Sequence, residues 1–435
     1  MIGRLLGTGV FAGVLLASCS GFAAGTGSPS KAPVENEARP APAAAVSEEA
    51  WEGTPLEGLG ARSRLWDVAV NEAGVFVAVG TVSADEYSGE EPLVVWRSED
   101  GISWREVFRR QDPLDTGDGS GLAPSNAVVA NGLEFAFVGG DCPQRCQPVA
   151  LYSPDGTSWR EVEVPVRMSS LPETAAGRTG GGAVPGQRLI FGSPEYTLYG
   201  AAMIDVAALG DRLVAVGWAE GGGGKYSTSH AAWVSDDGGQ RWRQAPDGAF
   251  GGGDQEGGRD ELNRVVPAGA RVVAGGGNRC CYDQSVSGLW ASEDGEAWRA
   301  VTLPEPHTFN IDAMGVRDAT VHVIGRPGFG QGEEPVQWRL ASDDGWERLP
   351  APPGLGTLLR EPGGLALVQT WRPEGSSDRI SLFRSPDGHD FRLSQATSPT
   401  ASLTVDTALV VGNRLLVYAR SDWANLLFES HAGDD

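Results

Sequence analysis

The segment SEDGISW, residues 98–104, decides the fold of this chain because close copies of it recur along the sequence. Every copy has a serine, an aspartate, a glycine and a following aromatic residue. The copies are SPDGTSW at 153–159, SDDGGQRW at 235–242, SEDGEAW at 292–298, SPDGHDF at 385–391 and a shortened SDDGW at 342–346. An aspartate that accepts backbone N–H groups and a glycine with positive φ are typical of a tight turn between strands. We therefore expect these aspartates to be structural and not catalytic.

The sequence around each turn has the pattern of a small antiparallel sheet. A bulky apolar residue stands two positions before the motif serine, and a seventh unit has such a residue before Ser430. These residues are Trp96, Leu151, Trp233, Trp290, Leu340, Phe383 and Phe428. β-Branched runs such as VFVAVG at 75–80 lie upstream, and another strand candidate precedes each run. This order predicts an all-β fold, a single β-propeller of four-stranded blades.

The number of blades follows from the number of units. Seven units favour seven blades within residues 47–435, with six or eight as alternatives. Residues 160–200 are long enough to hide an eighth, degenerate unit. The last unit has no fourth strand, and EAWEGTPLEG at 49–58 matches EAWRAVTLPE at 296–305. We predict that a strand around Trp51 completes the last blade and closes the ring, which removes two exposed sheet edges.

The turn motif resembles the Asp-box, or BNR, repeat of sialidases and other β-propellers. The copy at 235–242 fits the pattern S-x-D-x-G-x-x-W in full. The resemblance covers the repeats along most of the chain and implies a sialidase-like propeller. It does not extend to the catalytic residues of such enzymes, since GARSRLWDV at 60–68 has Arg62 and Arg64 but lacks their Arg-Ile-Pro motif.

The N-terminus has the features of an exported bacterial lipoprotein. Residues 1–18 combine an early positive charge with a short apolar run, as a signal peptide does, and LASC at 16–19 resembles a lipobox. We expect acylation of Cys19 and anchoring to the outer face of the bacterial cytoplasmic membrane, with ordinary cleavage near Ala23 as the alternative. Residues 19–46 are rich in Ala, Pro, Gly and Ser, which predicts a flexible tether.

Composition excludes one class of partner. The net charge of −23 argues against nucleic acid, because binding to phosphates requires a basic surface. Histidines show no metal-ligand spacing, and we expect no cofactor. The acidic loops at 112–121 and 251–261 do not match a calcium-loop pattern, so Ca²⁺ there is the weaker alternative.

Two sets of residues lie where the propeller should present its variable loops. The first is a polar ring near the start of each inner strand: Asp67, Asn126, Asp205, Asn263, Asp312, Thr357 and Asp406. These side chains either bond the backbone of neighbouring inner strands or line a pocket for a cation or a sugar. The second set follows the second strand of each unit: Thr81, Gly140, Trp218, Gly277, Arg326, Trp371 and Arg420. Its tryptophans and arginines either cover loops or bind a ligand.

Consecutive units concentrate the positive charge of the second set. Arg326, Trp371 and Arg420 come from units 5, 6 and 7, and Arg372 stands beside Trp371. Tryptophan stacks on sugar rings and arginine pairs with carboxylates, so this cluster predicts a site for an anionic or sugar ligand, with Trp218 as a further candidate.

Four cysteines follow Cys19, and all of them fall in predicted loops. Cys142 and Cys146 lie in one loop, and Cys280 and Cys281 lie in another. Export favours oxidation, and four cysteines allow three pairings. Pairing within each loop is favoured because a whole blade separates the two loops.

Two functions fit these features. The first is a monomeric, surface-anchored propeller that binds a glycan, peptide or protein partner without catalysis. The second is a sialidase-like glycoside hydrolase or lyase.

Overall fold

The computed structural model describes residues 51–83, 90–110, 114–115, 126–141, 146–166, 200–220, 228–246, 248–250, 260–278, 287–302, 309–327, 334–341, 345–371, 379–397, 403–421 and 424–432. The chain divides into two units, Met1–Ala45 and Val46–Asp435. All described residues belong to the second unit, so the predicted signal peptide and tether lie outside them. In the described part of the chain, no helix is long and apolar enough to cross a membrane.

Seven antiparallel sheets of four strands, termed blades 1 to 7, account for nearly all of the strands. Blade 1 contains, from the centre outward, β2 (Ser63–Val70), β3 (Phe76–Val82), β5 (Leu93–Ser98) and β6 (Arg105–Arg109). Blade 2 contains β8 (Ala127–Asn131), β9 (Glu134–Asp141), β10 (Gln147–Ser153) and β11 (Arg160–Val162). Blade 3 contains β12 (Ala201–Leu209), β13 (Arg212–Glu220), β14 (Thr228–Ser235) and β15 (Arg243–Gln244). Blade 4 contains β16 (Asp260–Ala268), β17 (Arg271–Asn278), β18 (Ser287–Ser292) and β19 (Arg299–Val301).

The remaining blades have the same order of strands. Blade 5 contains β20 (Phe309–Arg317), β21 (Thr320–Pro327), β22 (Val336–Leu340) and β23 (Trp346–Leu349). Blade 6 contains β24 (Thr357–Glu361), β25 (Gly364–Trp371), β26 (Arg379–Ser385) and β27 (Arg392–Ala396). Blade 7 contains β28 (Thr404–Val411), β29 (Arg414–Arg420), β30 (Asn425–His431) and, outermost, β1 (Thr54–Pro55). A separate pair joins β4 (Glu90–Glu91) to β7 (Leu114–Asp115).

The blades form a closed ring. The innermost strands contact one another in the cycle β2, β8, β12, β16, β20, β24, β28 and back to β2. Apolar clusters fill the space between neighbouring blades, as where Val77 and Val79 of blade 1 pack against Phe135 and Phe137 of blade 2. Successive side chains on a strand point to opposite sides, so each blade buries both of its faces. The fold is a seven-bladed β-propeller, which confirms the predicted fold class.

The outermost strand of blade 7 comes from the N-terminal end of the described chain. Thr54 lies opposite Leu427 in the antiparallel pairing of β1 with β30. The Trp51 ring lies 5.4 Å from the Phe428 ring, and its Nε1 donates a hydrogen bond of 2.8 Å to the Glu429 carbonyl. The Trp51 backbone N–H also donates to the Ala396 carbonyl of blade 6 at 3.1 Å. Both ends of the propeller therefore belong to one blade.

The repeated motif forms the turn between the third and fourth strands of a blade. In the first copy, Asp100 Oδ1 accepts the N–H groups of Ile102 at 2.8 Å and Ser103 at 2.7 Å. Ser98 Oγ accepts the N–H of Gly101 at 2.9 Å, and Trp104 Nε1 donates to the Gly101 carbonyl at 3.1 Å. The copies at 153–159 and 292–298 repeat these bonds. The end of the propeller with these turns is termed the turn face, and the opposite end is the loop face.

Each of five turns also contacts the second strand of the preceding blade. A Cβ on Gly295 of blade 4 would lie 2.7 Å from both Val214 and Val234 of blade 3, and the φ of this glycine is +75°. The glycines of the other four turns meet preceding blades at Tyr418, Val77, Ala136 and His322. The motif therefore joins neighbouring blades as well as neighbouring strands, in keeping with the structural role expected for its aspartates.

Candidate functional site at the channel mouth

The predicted polar ring lies at the loop face, where the inner strands begin around the central channel. Its members do not share one register position in their strands. Asn263, Asp312 and Asp406 are themselves the bulged residues of their strands, whereas Asp67 and Asp205 follow bulged residues. A β-bulge places two residues of one strand opposite one residue of its partner. Residues at similar distances along the sequence from the second strand therefore do not all occupy the same register position.

Asp67 and Asp205 connect adjacent blades. Asp67 Oδ1 accepts the Val68 N–H at 2.8 Å, and its Oδ2 accepts the Val128 N–H of blade 2 at 2.9 Å. The Thr407 hydroxyl of blade 7 also donates to Asp67 Oδ1 at 3.2 Å. Asp205 makes the same kind of connection between blades 3 and 4, since its Oδ2 accepts the Val265 N–H of blade 4 at 2.8 Å. Asp67 and Asp205 therefore bond the backbone of neighbouring inner strands, which was the first of the two roles expected from the sequence.

Two ring aspartates pair with arginines of the second predicted set. Arg326 binds Asp312 through two hydrogen bonds, 2.9 Å from Nη2 to Oδ1 and 3.2 Å from Nε to Oδ2. Arg420 Nε lies 3.7 Å from Asp406 Oδ1, which is an ion pair beyond hydrogen-bond distance. The two sets are thus cross-strand partners in blades 5 and 7. The predicted excess of positive charge is partly neutralised there.

Burial perturbs the carboxyl groups of the ring. It raises the pKa of Asp67 from 3.8 to about 6, and the nearby charge of Asp205 adds to the rise. Burial also raises the pKa of Asp205. The pKa of Asp406 rises to about 6 for the same reason, although Arg420 and Arg64 lower it in part. Perturbed carboxyls of this kind are concentrated at functional sites, and structural networks also produce them.

The ring also has buried oxygens without a protein partner among the described residues. Asn126 is 7% exposed and its Oδ1 accepts no hydrogen bond, and Asn263 Oδ1 also lacks one. The Asn126 oxygen lies 2.1 Å from where a Cβ on Gly139 would be, so this amide requires glycine on β9. Thr81 Oγ1, fully buried on β3, is likewise unpartnered. Thr357 is exposed at the start of β24.

The second set lies within the ends of the second strands and not after them. Trp218 is half-buried near the end of β13 and pairs with His230 of β14. Trp371 is the last residue of β25 and Arg420 the last of β29. Arg372 lies outside the described residues, as does the side chain of Trp371.

An aromatic cluster beside Trp218 has no counterpart in the sequence predictions. The His230 ring lies 4.2 Å from the Trp290 ring of blade 4 and 5.7 Å from Phe250. Burial lowers the pKa of His230 to about 4, and its Nε2 has no hydrogen-bond partner within the described part of the chain. No motif could have shown this cluster, because its members come from different blades and meet only through the packing of blade 3 on blade 4.

The predicted cysteine pairings and the absence of a metal stay predictions. Cys146 is disulfide-bonded and buried, but Cys19, Cys142, Cys280 and Cys281 lie outside the described residues. Across the described ranges, no three His, Cys, Asp or Glu side chains are grouped as metal ligands would be.

A cleft of about 300 Å³ opens at the turn face of blade 4. Its lining residues are Arg271, Ala291, Ser292, Glu293, Asp294, Ala297, Trp298 and Arg299. None of the residues predicted from the sequence to bind a ligand lies on this face.

Comparisons with known proteins identify no family for this chain. No protein-family model matches the sequence, and no curated protein matches it. Among solved structures, YCF48 bound to D1 peptide has a TM-score of 0.49 and 16% identity, over 90% of this chain and 99% of that chain. The β-propeller domain of the Trilobed protease from Pyrococcus furiosus has a TM-score of 0.46 and 10% identity, over 86% and 97%. The GH74 xyloglucanase from Xanthomonas campestris has a TM-score of 0.44 and 16% identity, over 88% of this chain and 56% of the enzyme.

Proposed function

We propose that this protein is a non-enzymatic binding module whose loop face takes a glycan, peptide or protein partner outside the cell. The main support for this proposal is that carboxylates at the channel mouth are already held by hydrogen bonds within the protein. Asp67 and Asp205 each accept two backbone N–H groups, and Asp312 is held by two hydrogen bonds from Arg326. Carboxylates committed in this way hold the ring together and are not free to act as an acid and base pair.

The groups that remain accessible at this face suit recognition of an anionic or polar partner. The Arg420 side chain is 35% exposed and lies 3.7 Å from Asp406, whereas Arg326 is held by two shorter bonds. Arg64 on the adjacent strand β2 is exposed as well. Arginine donates several hydrogen bonds in a fixed plane, so Arg420 and Arg64 offer directional contacts to a partner.

The last residues of β25 lie close to this part of the face. The N–H of Val405 on β28 donates to Thr370 Oγ1 at 3.3 Å, which brings the end of blade 6 beside the start of blade 7. Trp371 therefore follows directly on a residue that contacts the inner strand of Asp406. This placement keeps Trp371 and Arg420 as candidate contacts for the partner.

A glycoside hydrolase is the second candidate. The raised pKa values of Asp67 and Asp406, both about 6, favour it because a general acid must hold its proton near neutral pH. The same shifts follow from burial of carboxylates that accept structural bonds, which is why binding is our first choice.

We also propose that the protein is exported and held at the membrane through Cys19. The signal-like residues 1–18, the lipobox-like LASC and the tether at 19–46 support this location. Cys19→Ser should release the protein from the membrane fraction into the soluble fraction. Retention of the variant in the membrane would contradict lipid anchoring.

One pair of variants tests the binding role of the loop face. Arg420→Gln and Arg414→Gln remove the same group from the two ends of β29, and their side chains are similarly exposed, at 35% and 33%. We expect the protein to bind members of combined glycan and peptide arrays, and Arg420→Gln to weaken binding at least tenfold while Arg414→Gln does not. Mass spectrometry of the bound glycans should show no cleavage.

Each of the other possible results contradicts part of the proposal. Cleaved glycans would replace the binding proposal with the hydrolase. Equal losses in both variants would show that the effect does not arise from the loop face, and absence of any ligand on both arrays would refute binding of a glycan or a peptide.

A further inference from the structure

Asp406 at the channel mouth is a buried carboxylate shared by two more exposed arginines from different blades. It belongs to β28 of blade 7, and its side chain is only 4% exposed. Arg420 on β29 of the same blade has its Nε 3.7 Å from Asp406 Oδ1. Arg64 on β2 of blade 1 is exposed and close enough to lower the pKa of Asp406. Two positive charges thus share one negative charge, which leaves an excess of positive charge at the surface here.

The corresponding pair of blade 5 is closed by hydrogen bonds. Arg326 and Arg420 are both the seventh residue of a second strand, and Asp312 and Asp406 are both bulged residues of the innermost strand. Arg326 donates to Asp312 at 2.9 and 3.2 Å. The distance of 3.7 Å in blade 7 is too long for a hydrogen bond, so no N–H group of Arg420 is committed to Asp406.

Few other charged groups surround Asp406 in the described part of the chain. Apart from the two arginines, Asp67 of β2 lies near, since it accepts a hydrogen bond from Thr407, the residue next to Asp406. The strands β24 and β25 also pack against β28. Their described charged residues, Arg360 and Glu361, stand at the turn-face end of β24. Asp406 and Asp67, whose pKa values burial raises to about 6, are therefore the groups here that can take up a proton in mildly acidic medium.

The charge of Asp406 must respond to an anion bound at the two arginines. Burial raises the pKa of Asp406, and Arg420 and Arg64 lower it in part. An anion placed on these arginines offsets their effect and repels the carboxylate, so the pKa of Asp406 rises further. Linkage is reciprocal, and protonation of Asp406 therefore strengthens binding of the anion by the same factor.

We infer that Arg420 and Arg64 bind an anionic group of the partner, and that Asp406 takes up a proton from the solvent when they do. The proton neutralises Asp406, so both arginines interact with the bound anion alone. The inference rests on the loop-face function proposed above. It makes binding stronger in a mildly acidic medium than at neutral pH.

Inorganic sulfate is the probe, because its charge is constant from pH 5 to 7.5, unlike that of phosphate. Binding to the full chain is followed by NMR of the arginine Nε–Hε groups, at an ionic strength held constant with chloride. We expect the Arg420 signal to shift and to saturate. Sulfate should bind about fivefold to tenfold more tightly at pH 5 than at pH 7.5, as follows if it raises the pKa of Asp406 by about one unit.

Two matched pairs of variants locate the proton and the anion. Asp406→Asn imitates the neutral carboxyl, so it should bind sulfate at pH 7.5 as tightly as the wild type does at pH 5, without dependence on pH. Asp211→Asn removes the same charge from an exposed position of the turn face and should behave as the wild type. Arg420→Gln should weaken binding about tenfold at either pH, whereas Arg414→Gln should not.

A further measurement needs no variant. The titration of the Asp406 carboxyl carbon, followed by ¹³C NMR, should move to higher pH by about one unit in saturating sulfate.

Several results would overturn the inference. It fails if sulfate does not shift the Arg420 signal, if affinity is equal at pH 5 and 7.5, or if the Asp406 titration does not move. Dependence on pH that persists in Asp406→Asn would assign the proton to Asp67 instead. Each of these results leaves the array experiment unaffected, so binding of a partner by the loop face is judged separately.

Discussion

Aspartates at the two faces of the propeller make similar hydrogen bonds and have opposite pKa shifts. Asp100 in a turn is slightly buried, but hydrogen bonds from the backbone N–H groups of Ile102 and Ser103 and from the side chains of Ser98 and Ser103 together lower its pKa to about 2. Asp67 at the channel mouth also accepts two backbone N–H groups, but burial outweighs them and raises its pKa to about 6. The number of backbone N–H donors is the same, and the much deeper burial of Asp67 reverses the sign of the shift.

This difference separates aspartates that lose their charge only at strongly acidic pH from aspartates that take up a proton at higher pH. Asp155, Asp237, Asp294 and Asp387 share the lowered pKa of the turn set. Asp205 and Asp406 share the raised pKa of the mouth set. Near neutral pH the described turn aspartates therefore keep their charge, whereas Asp67 and Asp406 at the channel mouth begin to titrate.

The largest expected effect tests whether the turns act by contacting the preceding blade. Gly295→Ala should destabilise the protein by about 3 kcal/mol, because a left-handed φ costs a side chain roughly 1–2 kcal/mol and the new methyl group also overlaps Val214 and Val234. Gly210→Ala is the control, since Gly210 has a φ of +60° and nothing lies within 4 Å of its Cβ position. Urea unfolding should show a loss of only about 1–2 kcal/mol there. Equal losses of unfolding free energy in the two variants would show that the turns do not stabilise the protein through contact with the preceding blade.

The next effect tests the pH dependence of the mouth set. The folded pKa of Asp406, about 6, lies above its unfolded value of 3.8, so its stabilising contribution is complete below pH 3.8 and is lost as the pH rises through 6. The free energy of unfolding should therefore increase by about 1.4 kcal/mol on acidification from pH 7.5 to 5, because only about one pH unit of this range lies below the folded pKa of about 6.

Asp406→Asn cannot titrate and should reduce this slope. Urea unfolding at pH 5, 6 and 7.5 measures the slope in both proteins. An unchanged slope in the variant would mean that Asp406 is not among the groups that take up protons in this range.

The smallest effect tests the turn set at low pH. The folded pKa of Asp100, about 2, lies below 3.8, so its contribution is present above pH 3.8 and is lost as the pH falls through 2. Asp100→Ala should cost about 1 kcal/mol at pH 7, a modest value because the turn is exposed to water. The thermal unfolding midpoints of wild type and variant should differ at pH 7 and converge near pH 2. A constant difference would assign the loss to packing instead of charge.

The architecture was predictable from sequence because its signals are local and repeated. Six of the seven units contain a copy of the turn motif, and all seven have the apolar residue two positions before a serine. The segment around Trp51 that resembles a fourth strand includes β1, the strand that completes blade 7. The pairing at the channel mouth was not predictable in the same way. It depends on bulges, and the bulge at Asp312 turns this residue toward Arg326 although Arg326 is in register with Asn310.

The contact of each turn with the preceding blade lay between these two cases. The turn motif was visible in the sequence as a repeat. Its contact with the preceding blade was not, because the motif alone does not show what its glycine packs against. The positions of Val214 and Val234 around Gly295 supply that information.

The closing strand has a mechanical consequence. Trp51 is the first described residue of the propeller, so a pull on the chain N-terminal to it would reach this residue before any other described residue. The strand β1 has only two paired residues. Trp51 adds hydrogen bonds to two different blades and a ring contact with Phe428, and these contacts would distribute such a force over the sheets of blades 6 and 7.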